Sequence, residues 1–162
     1  MAEGSVVNHP AVERVRAALA AAGVVAEIVE LSAAARTARA AADQIGCSVA
    51  QIANSLVFRG EASGSALLVM TSGAHRVDPG RVAALVGEPI ARAAADFVRA
   101  STGFAIGGVA PVGHPAQLRT LIDRSLLGHA EIWAAAGHPH TVFPLTPEEL
   151  VRITGGAVAD VA

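Results

Sequence analysis

The chain contains no lysine; all twelve of its basic residues are arginine. Neither a lysine Schiff base nor a lysine general base is therefore available to it. It has one cysteine, Cys47, so no internal disulfide forms, and a reducing compartment, the cytoplasm, is the expectation. Charge is scarce, at 16% of residues, and the formal net charge is −2. That excludes a broad basic face for gripping long nucleic acid and leaves room for a local basic patch. No apolar run reaches the roughly 18 residues of a membrane helix. Residues 1–10 are polar and carry Glu3 where a secretory leader would be basic. Also missing are a G-x-S-x-G elbow, a Walker phosphate loop, a G-x-G-x-x-G turn and an H-E-x-x-H helix.

What is present is a core-forming composition. The 162 residues are 52% hydrophobic, enough for one domain spanning residues 1–162 with a real core. Pro10 opens a helix on which Val12, Val15, Leu19 and Ala22 recur at steps of three and four, ending at Gly23. Residues 24–31 are rich in β-branched side chains and predict a strand. Thr37 caps a second helix, Ala38–Ile45, with Gly46 as its stop. Ser48 and Gln51 make a capping box for a short third helix. Strands are predicted at 55–59, 66–71, 120–123, 131–135 and 140–144, with a shorter one from Ile90. Asp78-Pro79 and Thr146-Pro147 open further helices, each with a cap and a proline at the first helical position. One or two helical turns are expected around residues 96–99. Helices and short strands without regular βαβ alternation point to an α+β fold.

The centre of the pattern is residues 102–114, TGFAIGGVAPVGH. Gly103, Gly107, Gly108 and Gly113 fall in this stretch with Pro111, and no charge precedes His114. Glycines let the backbone turn through positive φ and bare N–H groups to a ligand, in the manner of an anion nest. A tight turn between buried strands accounts for the same residues. Cys47, between a helix stop and a helix start, has the setting of a thiol with a lowered pKa; a small core residue is the alternative. His114, His138 and His140 offer ring nitrogens to a metal, but their spacing matches no metal signature, so no metal site is assigned. Arg76 and Asp78 stand two apart, as an ion pair on an extended segment would.

In order along the chain, Thr37-Ala38, Ala41-Ala42, Gln51-Ile52, residues 55–58, Arg76-Val77-Asp78 and Thr102-Gly103 form one series of motifs. Gly107-Gly108-Val109-Ala110-Pro111, Ile122-Asp123, Ala136-Gly137 and the closing helix over 146–154 continue it. This series resembles the YbaK family, the prolyl-tRNA synthetase-associated editing domains, over roughly residues 12–160. The resemblance implies a small α+β domain with a mixed, partly barrel-like β-sheet flanked by helices. It implies hydrolysis of the ester joining a wrong, small amino acid to the 3′ end of a tRNA, most often one for proline, without a cofactor. The partners it implies are the acceptor end of an aminoacyl-tRNA and, through it, an aminoacyl-tRNA synthetase.

By that resemblance Gly107, Gly108 and Pro111 shape the loop at the reacting end of the substrate. Thr37, Arg76, Asp123, Gly137 and His138 are candidates for binding it. The family pattern Q-I-x-K-S-L has lysine where this chain has Asn54. Asparagine donates and accepts hydrogen bonds but does not neutralise a phosphate. Asn54 is thus the candidate that orients substrate or water, with Arg59 or Arg76 as candidates for the missing charge. The alternative is a non-catalytic module of the same fold that binds an aminoacyl or nucleotide group, or attaches to a synthetase.

Overall fold

The computed structural model describes residues 6–35 and 37–162; the reading of Glu3 as part of a polar start lies outside them. Among the described residues there are five α-helices and eight strands in one mixed sheet. Helix α1 (Pro10–Ala21) starts at the proline, with His9 Nδ1 accepting from the Ala11 N–H at 3.1 Å, and buries Val12, Val15 and Leu19. Strand β1 (Val29–Glu30) follows. Helix α2 (Ala38–Ile45) is capped by Thr37 Oγ1, which accepts from Ala40 N–H at 3.1 Å, and stops at left-handed Gly46. A 3₁₀ turn over Val49–Gln51 is braced by the Gln51 side chain accepting from Ser48 N–H.

Strands β2 (Ile52–Gly60) and β3 (Ala66–Ser72) form an antiparallel hairpin. Helix α3 (Pro79–Val86), strand β4 (Ile90–Arg92) and helix α4 (Ala95–Thr102) come next. The glycine-rich segment then runs without regular structure to β5 (Arg119–Asp123). It therefore joins a helix to a strand, rather than turning between two buried strands. Beyond it lie β6 (Ile132–Ala135), β7 (Thr141–Leu145), α5 (Pro147–Thr154) and β8 (Ala157–Ala159).

The strand order is β1-β7-β6-β2-β3-β5-β8, with β4 also on β2. The β2–β6, β3–β5 and β5–β8 pairs are parallel and the others antiparallel. One face of the hairpin, with Ala53, Val57, Leu68 and Met70, joins α1 and the glycine-rich segment in the main core. The other, with Phe58, Leu67 and Val69, packs on Val82 of α3.

Strand β2 positions the site. Along one edge it is paired with β3 from Ala53 to Arg59. Along the other it meets β6 only at Ile52 and Ala53, and β4 only at Phe58, Arg59 and Gly60. The sheet is thus split beside Asn54, Ser55 and Leu56. Gly73 N–H donates to Ile52 C=O on the β3 side, and Ala93 N–H donates to Val57 C=O on the other. Alternation along a strand then turns the N–H and C=O of Ser55 into the split. There they have no backbone partner among the described residues.

Candidate functional site

A cavity of about 270 Å³ occupies this split. Ala38 and Ala41 of α2, Asn54, Ser55 and Leu56 of β2, Trp133 of β6 and Arg92 at the end of β4 line it. Gly107 and Val109 of the glycine-rich segment, Pro139 of the β6–β7 connection and Thr141 at the start of β7 close another side. The wall is mostly small and apolar. Arg92 is the charged side chain on it, and no carboxylate reaches it among the described residues. A volume near the lower end of the ligand-pocket range suits one small group rather than a long one.

Asn54 is half-buried and its amide makes no hydrogen bond among the described residues, which leaves both donor and acceptor for a ligand. Thr37 also lines the cavity, but its hydroxyl oxygen already serves the α2 cap. Gly107 lies on the wall at φ +90°, and a Cβ there would meet only the Pro139 ring, at an ordinary 3.7 Å. Gly108 stands behind it. Its N–H closes a turn onto Ala105 C=O, so that group is not free for an anion. A Cβ on Gly108 would sit 2.9 Å from His138 Cα. Two connecting segments, one on either side of the cavity, therefore touch backbone to backbone.

The other sequence candidates are placed elsewhere. Gly137 is buried against α1, where a Cβ would come 2.8 Å from Ala11 C=O. His138 stands among His9 and His140, with ring centroids 5.3 and 5.4 Å away, and holds the connection through Thr141 Oγ1, which donates to His138 C=O at 2.9 Å. Burial, then the two neighbouring histidines, lower its pKa. Pro111 is buried beside a separate hollow that also holds His114, which therefore stands apart from His138 and His140. No group of metal-binding side chains occurs among the described residues.

Arg76 is exposed and forms no ion pair with Asp78, whose Oδ1 instead accepts from Gly80 and Arg81 N–H groups to cap α3. Arg59 lies over the Phe97 ring at 5.0 Å, off the cavity wall. Burial pushes the Cys47 thiol up, the opposite of an activated thiolate.

Asp123 is buried two strands away from Asn54 on the same sheet face, since Asn54 faces Thr71 across the hairpin. Its Oδ2 accepts from Thr71 Oγ1 at 3.2 Å and Ser72 N–H at 3.0 Å. Its Oδ1 accepts from Ser125 N–H at 3.0 Å. Burial opposes its ionisation, but these backbone donors and the neighbouring His75 ring at 3.2 Å outweigh it and hold the carboxyl below its ordinary range. The residues missed from sequence are Arg92, Trp133 and the free main chain of Ser55. Each is defined by strand pairing between distant segments, which short motifs do not carry.

Fold and site together define a small editing-type domain with a mostly apolar cavity at a break in its sheet. Residues 32–153 match the aminoacyl-tRNA editing domain, and the chain belongs to that family. It is 31% identical over 124 residues to the uncharacterized protein YwhH of Bacillus subtilis (strain 168), covering 76% of this chain and 78% of that one. The solved structure of a proposed trans-editing enzyme for prolyl tRNA synthetase superposes with a TM-score of 0.88. It is 48% identical over 94% of this chain and 96% of its own. The hypothetical protein APE2540 superposes with a TM-score of 0.84, at 30% identity over 91% and 98% of the two chains.

Two substitutions test these placements. Gly108→Ala forces the two segments apart and should cost about 1–3 kcal/mol, lowering Tm by roughly 2–12 °C. An unchanged melting curve would contradict the backbone contact. Asp123→Asn should cost about 1–3 kcal/mol at pH 7 through loss of charge-assisted bonds. Because the folded carboxyl ionises below its unfolded value, this stabilisation is complete above about pH 4 and lost as pH falls through the folded pKa. Urea titrations should therefore show the wild type converging on the variant in acid. A gap that widened there would refute the assignment.

Proposed function

We propose that this chain acts in trans as a deacylase, hydrolysing the ester between a small neutral amino acid and the 3′ end of a tRNA, most directly one for proline. Family membership and the trans-editing structural relative support this reading at the level of the activity. The observation that carries it here is the split beside β2. A small, mostly apolar cavity meets an Asn54 amide and the N–H and C=O of Ser55, all without protein partners among the described residues.

The chemistry asks little of side chains. An aminoacyl ester is activated, and its hydrolysis joins a water oxygen to the carbonyl carbon while the bond to the ribose oxygen breaks. That ribose oxygen takes up a proton. The Ser55 N–H and the Asn54 amide N–H are donors for the oxyanion that develops, and donors fixed in place contribute most to such a step. The adjacent ribose hydroxyl of the substrate holds or deprotonates the water. Ser55 C=O accepts from the substrate ammonium, for which the cavity has no carboxylate. Alanine and valine side chains on the wall set the size limit. One methylene alters binding by only about 1–3 kcal/mol, so a small cavity discriminates by excluding the larger side chain.

A second reading, a binding module without turnover, is favoured by one feature, the asparagine where relatives resembled by the motif carry lysine. The two separate in one assay: deacylation of tRNA for proline charged with Ala, Ser, Thr or Cys. Asn54→Ala should lower kcat about a hundredfold or more with little change in Tm, since the amide has no partner to lose. Gly107→Ala should also lower it, at a strain of about 1–2 kcal/mol. A silent wild type beside an active Asn54→Lys would establish the binding module instead.

A further inference from the structure

We propose that Trp133 and Arg92 form a nucleotide subsite beside the cavity. Trp133 stacks on the 3′-terminal adenine of the tRNA, and Arg92 binds the phosphate 5′ to that nucleoside. The assignment rests on the reading of the cavity as an aminoacyl site and extends it to the nucleotide that carries the ester.

Register puts both residues on one sheet face. Trp133 pairs with Ile52 and Arg92 with Phe58, so both share the face of Asn54 and Leu56 and flank the split from opposite ends. Six residues of β2 separate the two positions, on the order of 20 Å of backbone at 3.3 Å per residue. Both side chains nevertheless border the same cavity, which lies between the two positions. Trp133 is the chain's one tryptophan. It packs partly on Ala41, Ala42 and Ile52 under α2 and leaves part of its ring to the cavity and solvent. A fixed, half-exposed indole is a stacking platform for a base.

Arg92 is exposed, and none of the ion pairs among the described residues involves it. Its guanidinium is steadied over the Phe58 ring, 5.8 Å from the centroid. Among the described residues it is thus the charged side chain on the cavity wall, with no carboxylate beside it there. A guanidinium suits a phosphate because it donates two parallel hydrogen bonds. Ile106, 56% exposed yet on the same wall, adds apolar surface for the ribose or base. With Asn54 uncharged, this arginine on the neighbouring strand is, among the described residues, the cation on the cavity wall that can meet the acceptor end.

The single tryptophan supplies a readout independent of turnover. Wild-type protein is titrated with adenosine, AMP and the trinucleotide CCA while indole fluorescence is followed. Saturable quenching by all three is expected, with AMP binding more tightly than adenosine. Arg92→Gln should abolish the preference for AMP over adenosine while leaving adenosine binding unchanged. It should also reduce the salt dependence of CCA binding by about one phosphate. Trp133→Leu should weaken AMP binding by about fivefold or more in equilibrium dialysis. Trp133→Phe, which keeps the packing on α2, should recover part of that loss, separating stacking from folding.

No saturable quenching up to about 10 mM, or an AMP preference that survives Arg92→Gln, would overturn the subsite. Deacylation by the wild type without nucleotide quenching would remove the subsite and leave the deacylase. Nucleotide binding with the stated variant effects but without deacylation would leave the subsite and remove the deacylase.

Discussion

Strand β2 has more neighbours than a strand edge can hold. One edge belongs wholly to β3, and the other is divided between β6 and β4. Two strands that approach one edge from opposite ends leave a stretch of backbone that neither covers. In most sheets an uncovered edge invites unwanted pairing. Here the opening is short and enclosed by α2, the glycine-rich segment and the β6–β7 connection, so it becomes a cavity rather than a sticky edge. Main-chain donors that would cost free energy if buried without partners are instead held ready for a ligand. The polar side chains nearby can then be few.

Enclosure depends on close approach of backbones. Gly108 lets the glycine-rich segment lie against His138, and Gly137 lets the β6–β7 connection lie against α1. The contact surface therefore runs from α1 through the connection to the cavity wall. This gives several of the family's motif residues a role behind the wall rather than on it. Asp123 has a similar place. Its carboxylate ties the end of β3 to the turn after β5, and through Thr71 it holds the strand that faces Asn54.

Local chemistry was legible in the sequence. The caps at Thr37, Asp78 and Thr146 and the stops at Gly46 and Gly155 lie where side-chain oxygens and achiral residues require them. The strand expected over 24–31 is only Val29–Glu30. Val24 and Leu31 do pack inward, but Val25 stands fully in solvent and finds no neighbouring strand. β-Branched composition reports a taste for extended backbone, not the partner that makes it a strand. Strand β8 was missed because three residues after Gly155-Gly156 carry too little pattern. The motif order pointed to Asn54 and Gly107, and both line the cavity. Arg92 had no such signal. It ends a three-residue exposed strand, and its meaning comes only from pairing with Phe58.

The scarcity of charge fits the same economy. With no carboxylate on the cavity wall among the described residues, Arg92 meets no local negative field that would oppose an incoming phosphate. The overall charge of −2 gives no reason for the protein to track along RNA. On the proposed reading, recognition is concentrated at the acceptor end of the RNA, where one base, one phosphate and one ester lie within a nucleotide's length. Contact so limited favours dissociation once the ester is cleaved. In the proposed function the aminoacyl group inside the split is the part of the substrate that hydrolysis releases, and its departure would leave only the proposed rim contacts to hold the RNA.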